Sequence, residues 1–216
     1  MPGALRDFAR QYHAYSSAFP SYLRCAIGKL QVPHHRALLE ENLREEQGEL
    51  GLGEWHQLRR AGLDPASVDG IPHPELYRAF CGSLDLSDQD LARPTREARR
   101  WQEEFLAFLE GASLPAVLGA LGPGTENIVS PIYGALLVAL RSLPDAARID
   151  LRFIILHCNL DDQHAQDLRV VAQTFMSTES DRREMRAGML KALALRARFF
   201  SHLHRRALAE DQGPWR

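Results

Sequence analysis

The chain has 216 residues, of which 45% are hydrophobic, and its 26 Lys plus Arg nearly balance its 28 Asp plus Glu. A chain of this length buries roughly 70% of its unfolded surface on folding, so its core needs no disulfide or structural metal. Any metal that it binds is therefore expected to be functional. The formal net charge of −2, with both signs interspersed, argues against a nucleic-acid partner or an acidic membrane surface.

Cysteine usage and hydropathy favour the cytoplasm. Cys25, Cys81 and Cys158 are odd in number and form no Cys-x-x-Cys pair, which is typical of a reducing compartment. No apolar run approaches the roughly 18 residues of a membrane span, and the first residues lack the apolar region of a signal peptide. We expect a cytoplasmic protein without a membrane segment.

Hydrophobic periodicity predicts an all-α fold, because apolar residues recur at steps of three and four and no alternating β-branched run is present. The aromatic stripe that includes Tyr12 and Tyr15 is most simply core. Breaks are expected at Pro20, at Pro94 and at the glycines and proline of 122–124. We predict one bundle-like domain over residues 1–216 with about seven helical regions, at 5–30, 33–46, 73–82, 87–110, 113–143, 150–177 and 179–209.

Residues 48–72 form a long connection with five glycines and two prolines. One short helix is expected within it, around Glu54 to Arg60. Loops of this length in a compact domain are usually functional insertions. We interpret 48–72 as an insertion or lid.

The sixth helical region carries the pattern His157-x-x-x-Asp161-x-x-His164. Steps of four and seven residues place these side chains within roughly 40° to 60° of one another on a helix. They continue the apolar face of Phe153, so the stripe is expected to point inward. Two histidines and a carboxylate suit iron, manganese or zinc. The same pattern also occurs on solvated helices, so both interpretations stay open at this point.

Three further residues are candidates to join this group. Glu126 is the only acidic residue between Gly111 and Asp145, and a carboxylate buried there needs a cation, a metal or a proton; it could also be a helix-initial residue favoured by the dipole. Glu46 shares the apolar face of its helix, whereas the neighbouring Glu45 does not and is the alternative. His73 begins the third helix, where a surface histidine is the simpler interpretation.

Four motifs follow one another along the chain, namely Asn42-Leu43-x-x-Glu46-x-Gly48, His73-Pro-Glu-Leu-Tyr77, Gly124-Thr-Glu126-x-Ile-Val-x-Pro-x-Tyr133 and Phe153-x-x-x-His157-x-x-x-Asp161-x-x-His164. Together they resemble the heme-oxygenase-like diiron oxidases and oxygenases. The order matches, as do the separations of 53 residues from His73 to Glu126 and 31 from Glu126 to His157. The separation of 27 residues between Glu46 and His73 is longer than in compact members, which leaves Glu46 the least secure position.

This resemblance implies a heme-oxygenase-like helical bundle that holds two iron ions and uses O2 as co-substrate. The six ligands it implies, which would also be the catalytic residues, are Glu46, His73, Glu126, His157, Asp161 and His164, with Glu126 as the bridge. The implied activity is a non-heme diiron oxidase or oxygenase acting on a small metabolite. N-oxygenation of an amine or amino acid in natural-product biosynthesis is favoured, and oxidative C–C or C–N cleavage of an amino or fatty acid is the alternative.

Other interpretations stay open. Related bundles include metal-free hydrolases of thiamin fragments and a cofactor-independent oxidase, and a non-catalytic binding protein would keep the histidines as core residues. Zinc or manganese could occupy the same site. One branch of the family consumes its own tyrosine and lysine, but this chain has only Lys29 and Lys191.

The substrate, the external electron donor and the oligomeric state cannot be read from the chain, although homodimers are common among such bundles. One of its 24 arginines could bind a substrate carboxylate in a bidentate manner, and the sequence does not single it out.

Overall fold

The computed structural model of the chain describes residues 3–211, except for the side chains of residues 161–164 and 210–211. Within this part the fold is all-α and contains no strand, as predicted. Its eleven α-helices are α1 Gly3–Ser16, α2 Phe19–Lys29, α3 Pro33–Glu46, α4 Leu52–Arg60, α5 His73–Ser83, α6 Asp88–Leu91, α7 Arg96–Gly111, α8 Leu114–Leu121, α9 Asn127–Arg141, α10 Arg152–Thr174 and α11 Glu179–Asp211.

The prediction of about seven helices was too low because three predicted regions are each divided in two. Pro20 lies in the first turn of α2, where its missing N–H costs nothing. The hydroxyl of Thr95, which follows Pro94, accepts the backbone N–H of Ala98 and caps α7. The third division lies between α8 and α9, at a wider turn over Gly122–Glu126.

The core is lined by aromatic side chains from α1, α7 and α11. The rings of Tyr15 and Trp101 are stacked with centroids 3.9 Å apart, and Phe199 lies 4.4 Å from Trp101. Glycines bring α8 and α11 into backbone contact, because a Cβ at Gly119 would lie 1.9 Å from the carbonyl oxygen of Met185. The long helix α11 is thereby fixed against the body of the bundle.

The connection 48–72 is packed onto the bundle. It contains α4, close to the predicted short helix, and Leu58 and Val68 are fully buried. Arg152 at the start of α10 donates to the carbonyl of Ser67 at 2.7 Å. No helix of the described residues is both long and apolar enough to cross a membrane.

Candidate metal centre

The end of α3 lies against the start of α5, although 26 residues lie between Glu46 and His73. Gly48 follows α3 in the left-handed region, with φ at 92°. An added Cβ at Gly48 would lie 2.6 Å from the backbone of Ile71, and the N–H of Gly70 donates to the Gly48 carbonyl at 2.8 Å. The two ends of the intervening segment are therefore held together at Gly48, and this contact places His73 beside Glu46.

Three of the predicted residues form one buried group: Glu46, His73 and His157. One potential ligand atom from each lies within 4.8 Å of the other two. His73 Nδ1 is 3.1 Å from Glu46 Oε1, and the centroids of the two imidazole rings are 4.8 Å apart. Two imidazoles and a carboxylate around one point are a donor set that suits iron, manganese or zinc.

The hydrogen bonds of the two histidines fit metal binding. His157 Nδ1 lies 2.8 Å from the carbonyl oxygen of Phe153. Because a carbonyl only accepts, Nδ1 carries the proton and Nε2 keeps a lone pair for a metal. His73 is 2% exposed; Nδ1 faces Glu46 Oε1, and Nε2 makes no hydrogen bond among the described residues. Since an unsatisfied buried nitrogen is costly, a cation in this group would relieve a cost that the protein carries without it.

Glu126 is placed by the wider turn between α8 and α9. Gly122–Glu126 forms a turn of π-helix, and Pro123 has no N–H to continue a regular α-helix. Turns of this type often occur at functional sites. Glu126 is buried and lines the same cavity as Glu46 and His157, but it is not one of the three residues whose ligand atoms lie within 4.8 Å of one another.

The remaining two predicted ligands, Asp161 and His164, belong to α10 beyond His157. Their side chains lie outside the described residues. The alternative residue Glu45 is also buried, but it is not part of the group formed by Glu46, His73 and His157.

A partly enclosed cavity adjoins the group. Its apolar wall comes from Phe19, Val129 and Phe153, and Glu46, Glu126 and His157 line one part of it. The rest of the lining is rich in hydroxyl groups, from Tyr12, Tyr15, Ser16, Thr125 and Tyr133. The cavity thus combines acidic and imidazole ligands with a separate set of hydroxyls.

The sequence did not predict the buried arginine that contacts one of these hydroxyls. Arg196 on α11 is 5% exposed, and its Nη2 donates to the hydroxyl of Tyr15 at 3.1 Å. Burial raises the pKa of Tyr15 to about 12, although the charge of Arg196 acts in the opposite direction. A sequence signal existed, because Arg196 lies between Ala192 and Phe199 on the apolar face of its helix.

Residues 6–197 match the profile of a family described as iron-containing redox enzymes. The chain belongs to this family. This family match agrees with the resemblance that the four sequence motifs indicated. The buried carboxylate and two imidazoles are ligands that suit the iron of the family.

Solved structures with the same fold are distant in sequence. A CADD-like protein of unknown function from Nostoc punctiforme aligns with a TM-score of 0.74 and 17% identity, over 96% of this chain and 84% of that one. A TenA homolog from Pseudomonas syringae pv. tomato aligns with a TM-score of 0.72 and 14% identity, over 95% and 80% of the chains. A domain of unknown function with a heme oxygenase-like fold from Shewanella denitrificans aligns at 0.71 and 13%, over 99% and 82%.

These likenesses confirm the predicted heme-oxygenase-like fold of this family member. At such low identity they carry no information on its substrate. A comparison with curated proteins finds no match.

Proposed function

We propose that this iron-containing redox enzyme is an O2-dependent non-heme diiron oxidoreductase that oxidises a small metabolite. The reaction we favour is N-oxygenation of an amine or amino acid in natural-product biosynthesis. The observation that carries this proposal is the buried group of Glu46, His73 and His157 beside a cavity that Glu126 also lines.

The ligands proposed for two iron ions are the six predicted from the sequence: Glu46, His73, Glu126, His157, Asp161 and His164. Bound iron would supply the reductive activation of O2, with electrons from an external donor. The Phe153 carbonyl orients His157, and Phe19, Val129 and Phe153 give the cavity an apolar wall. The substrate would bind in the other part of the cavity, which is lined by hydroxyl groups.

A metal-free role accounts less well for these residues. The site buries the carboxylates of Glu46 and Glu126 in one cavity, and His73 Nε2 has no hydrogen-bond partner among the described residues. Removing charges from water in this way costs several kcal/mol. In a metal-free hydrolase or a binding protein, no metal ion would offset this free-energy cost.

Consumption of the chain's own lysine is also disfavoured. Lys29 donates to the carbonyls of Glu110 and Ala112, and Lys191 lies 3.9 Å from Glu104. Neither lysine lines the cavity beside the metal group.

We place the enzyme in the cytoplasm, because its three cysteines are free thiols and suit a reducing compartment.

The test is aerobic turnover with 18O2. Protein loaded with Fe(II), together with a chemical reductant, is incubated with a panel of amines, amino acids and fatty acids, and products are followed by mass spectrometry. We expect an amine or amino acid to gain an 18O atom, and chelation of the iron to abolish the product.

The control is Glu45→Gln, which should react like the wild type. Turnover that persists without iron or O2 would contradict the proposal, and release of shortened products would favour oxidative C–C or C–N cleavage instead.

A further inference from the structure

Arg196 is a buried cation among aromatic side chains. Its side chain lies over the rings of Tyr15 and Trp101, with the guanidinium carbon 5.3 Å and 5.6 Å from their centroids. Nε and Nη1 have no hydrogen-bond partner among the described residues. The largest electrostatic contributions to Arg196 come from tyrosine hydroxyls, those of Tyr15, Tyr12 and Tyr133. A buried guanidinium is normally paired with an anion, so Arg196 can balance one that binds beside these hydroxyls.

The tyrosine hydroxyls stand between this cation and the cavity. Tyr15 accepts from Arg196 Nη2, and the Thr125 hydroxyl is directed to the carbonyl of Ala120 at 2.9 Å. The proton of Tyr15 therefore has only a long contact of 3.5 Å with Thr125 Oγ1. Because Tyr15 stays neutral at any ordinary pH, it can donate this proton to a molecule in the cavity.

Tyr12 offers a second donor at the same place. Tyr133 donates to the Tyr12 hydroxyl at 3.2 Å, which leaves the proton of Tyr12 for another acceptor. Both tyrosines line the cavity. Two hydroxyl donors backed by a guanidinium form a site for a negatively charged oxygen group.

We propose that the hydroxyls of Tyr12 and Tyr15, which the charge of Arg196 supports from behind, bind a carboxylate of the substrate. The cavity then has two separate functions, because Glu46, Glu126 and His157 line its metal end and the hydroxyls hold the anionic end of the molecule. A carboxylate is favoured over a phosphate because one buried guanidinium balances one negative charge. This inference rests on the proposed oxidation of a small metabolite and narrows its substrate class to acids, amino acids among them.

The test uses metal-free protein, so that it does not depend on iron loading. The probes are matched pairs of a carboxylate and its primary amide: straight-chain acids of two to ten carbons, phenylacetate, and several amino acids. Binding is measured by calorimetry and by the fluorescence change of Trp101, which stacks on Tyr15. We expect at least one carboxylate to bind tenfold or more tightly than its amide.

Variants at both positions then locate the site. Arg196→Met should lower the affinity of the preferred carboxylate at least tenfold and leave that of the amide unchanged, while Arg196→Lys should restore part of it. Tyr15→Phe removes one donor without removing the charge and should give a smaller loss. A melting temperature for each variant shows whether it is folded.

Three results would overturn the inference. These are equal binding of every carboxylate and its amide, an unchanged preference in Arg196→Met, or a lower melting temperature of that variant with its preference intact, which would make Arg196 purely structural. Failure of iron loading with a retained carboxylate preference would contradict the proposed function instead, so the two failures are distinguishable.

Discussion

Glu46 Oε1 lies 3.1 Å from His73 Nδ1 between the last residue of α3 and the first residue of α5, and both side chains are buried. The contact joins two helix ends that a segment of 26 residues separates. It places a carboxylate and an imidazole where His157 of α10 completes a three-sided group.

Replacement of Glu46 should be far more damaging to metal binding than replacement of Glu45. Both carboxylates are buried, but only Glu46 belongs to the group with His73 and His157. Glu46→Gln should lower Fe(II) affinity by at least about tenfold, since even residues behind a ligand cost that much. Glu45→Gln is the matched control in an anaerobic iron titration. Equal losses in the two variants would remove the basis for choosing Glu46.

Loss of a ligand from α10 should abolish iron loading without unfolding the chain. His157→Ala and Asp161→Ala each remove one predicted ligand from a long helix whose buried residues Phe153, Leu160 and Leu168 stay in place. We expect circular dichroism like that of the wild type and no bound iron by metal analysis. Wild-type iron content or turnover in either variant would exclude that residue as a ligand.

Replacement of His73 by an apolar residue should lower both stability and metal binding. Nδ1 of His73 lies 3.1 Å from Glu46 Oε1, so His73→Leu removes this contact from the buried carboxylate. The metal-free variant should lose about 1 to 3 kcal/mol of unfolding free energy. Fe(II) should stabilise the wild type and not the variant. A metal-free variant as stable as the wild type would mean that the contact between His73 and Glu46 contributes nothing to the fold.

Gly48 should be required for both the fold and the site. Gly48→Ala introduces a Cβ at positive φ and in contact with the Ile71 backbone. Gly62→Ala is the control, because Gly62 also has positive φ but open space around its Cβ position. Urea unfolding should show a loss of about 1 kcal/mol for the control, from φ alone, and a larger loss for Gly48→Ala. Only Gly48→Ala should also weaken iron binding.

A charge pair between α1 and α11 should make stability depend on pH. Arg206 donates to both oxygens of Asp7, at 2.6 and 2.8 Å. Burial alone would raise the pKa of Asp7, but hydrogen bonds from Arg206 and Gln11 outweigh it and hold the pKa below 3.8. The pair therefore stabilises the fold above the unfolded pKa, and this contribution is lost as the pH falls through the lower folded value.

Asp7→Asn measures that contribution. The variant should lose about 1 to 2 kcal/mol of unfolding free energy at pH 7, and its difference from the wild type should shrink below pH 3.8. Glu40→Gln is the control, because Glu40 forms only an exposed pair with Arg36 and should cost less than about 0.5 kcal/mol. A loss that is independent of pH would show that Asp7 acts through packing.

The sequence predicted those features that depend on a single helix, namely where helices end and which of their faces are buried. Proline and glycine marked most helix ends, and a helical face was enough to relate Glu46 to the core through Leu39 and Leu43. The π-turn before Glu126 coincides with the break expected at Gly122-Pro123-Gly124. These features depend on neighbours within about two turns.

Features that depend on contacts between distant helices could not be predicted. The closeness of Glu46 and His73 depends on the packing of Gly48 against Ile71, whereas the sequence showed only a glycine that ends a helix. The burial of Arg196 likewise depends on α1 and α7, which supply Tyr15 and Trp101.

Anaerobic titration of the metal-free protein with Fe(II), followed by exposure to O2, tests the central claim most directly. The expected result is two iron ions bound per chain and their rapid oxidation by O2 in the wild type, with neither in Glu46→Gln. Binding of a single iron ion would contradict the diiron centre. No iron binding at all would contradict the metal site as a whole and leave a metal-free helical bundle.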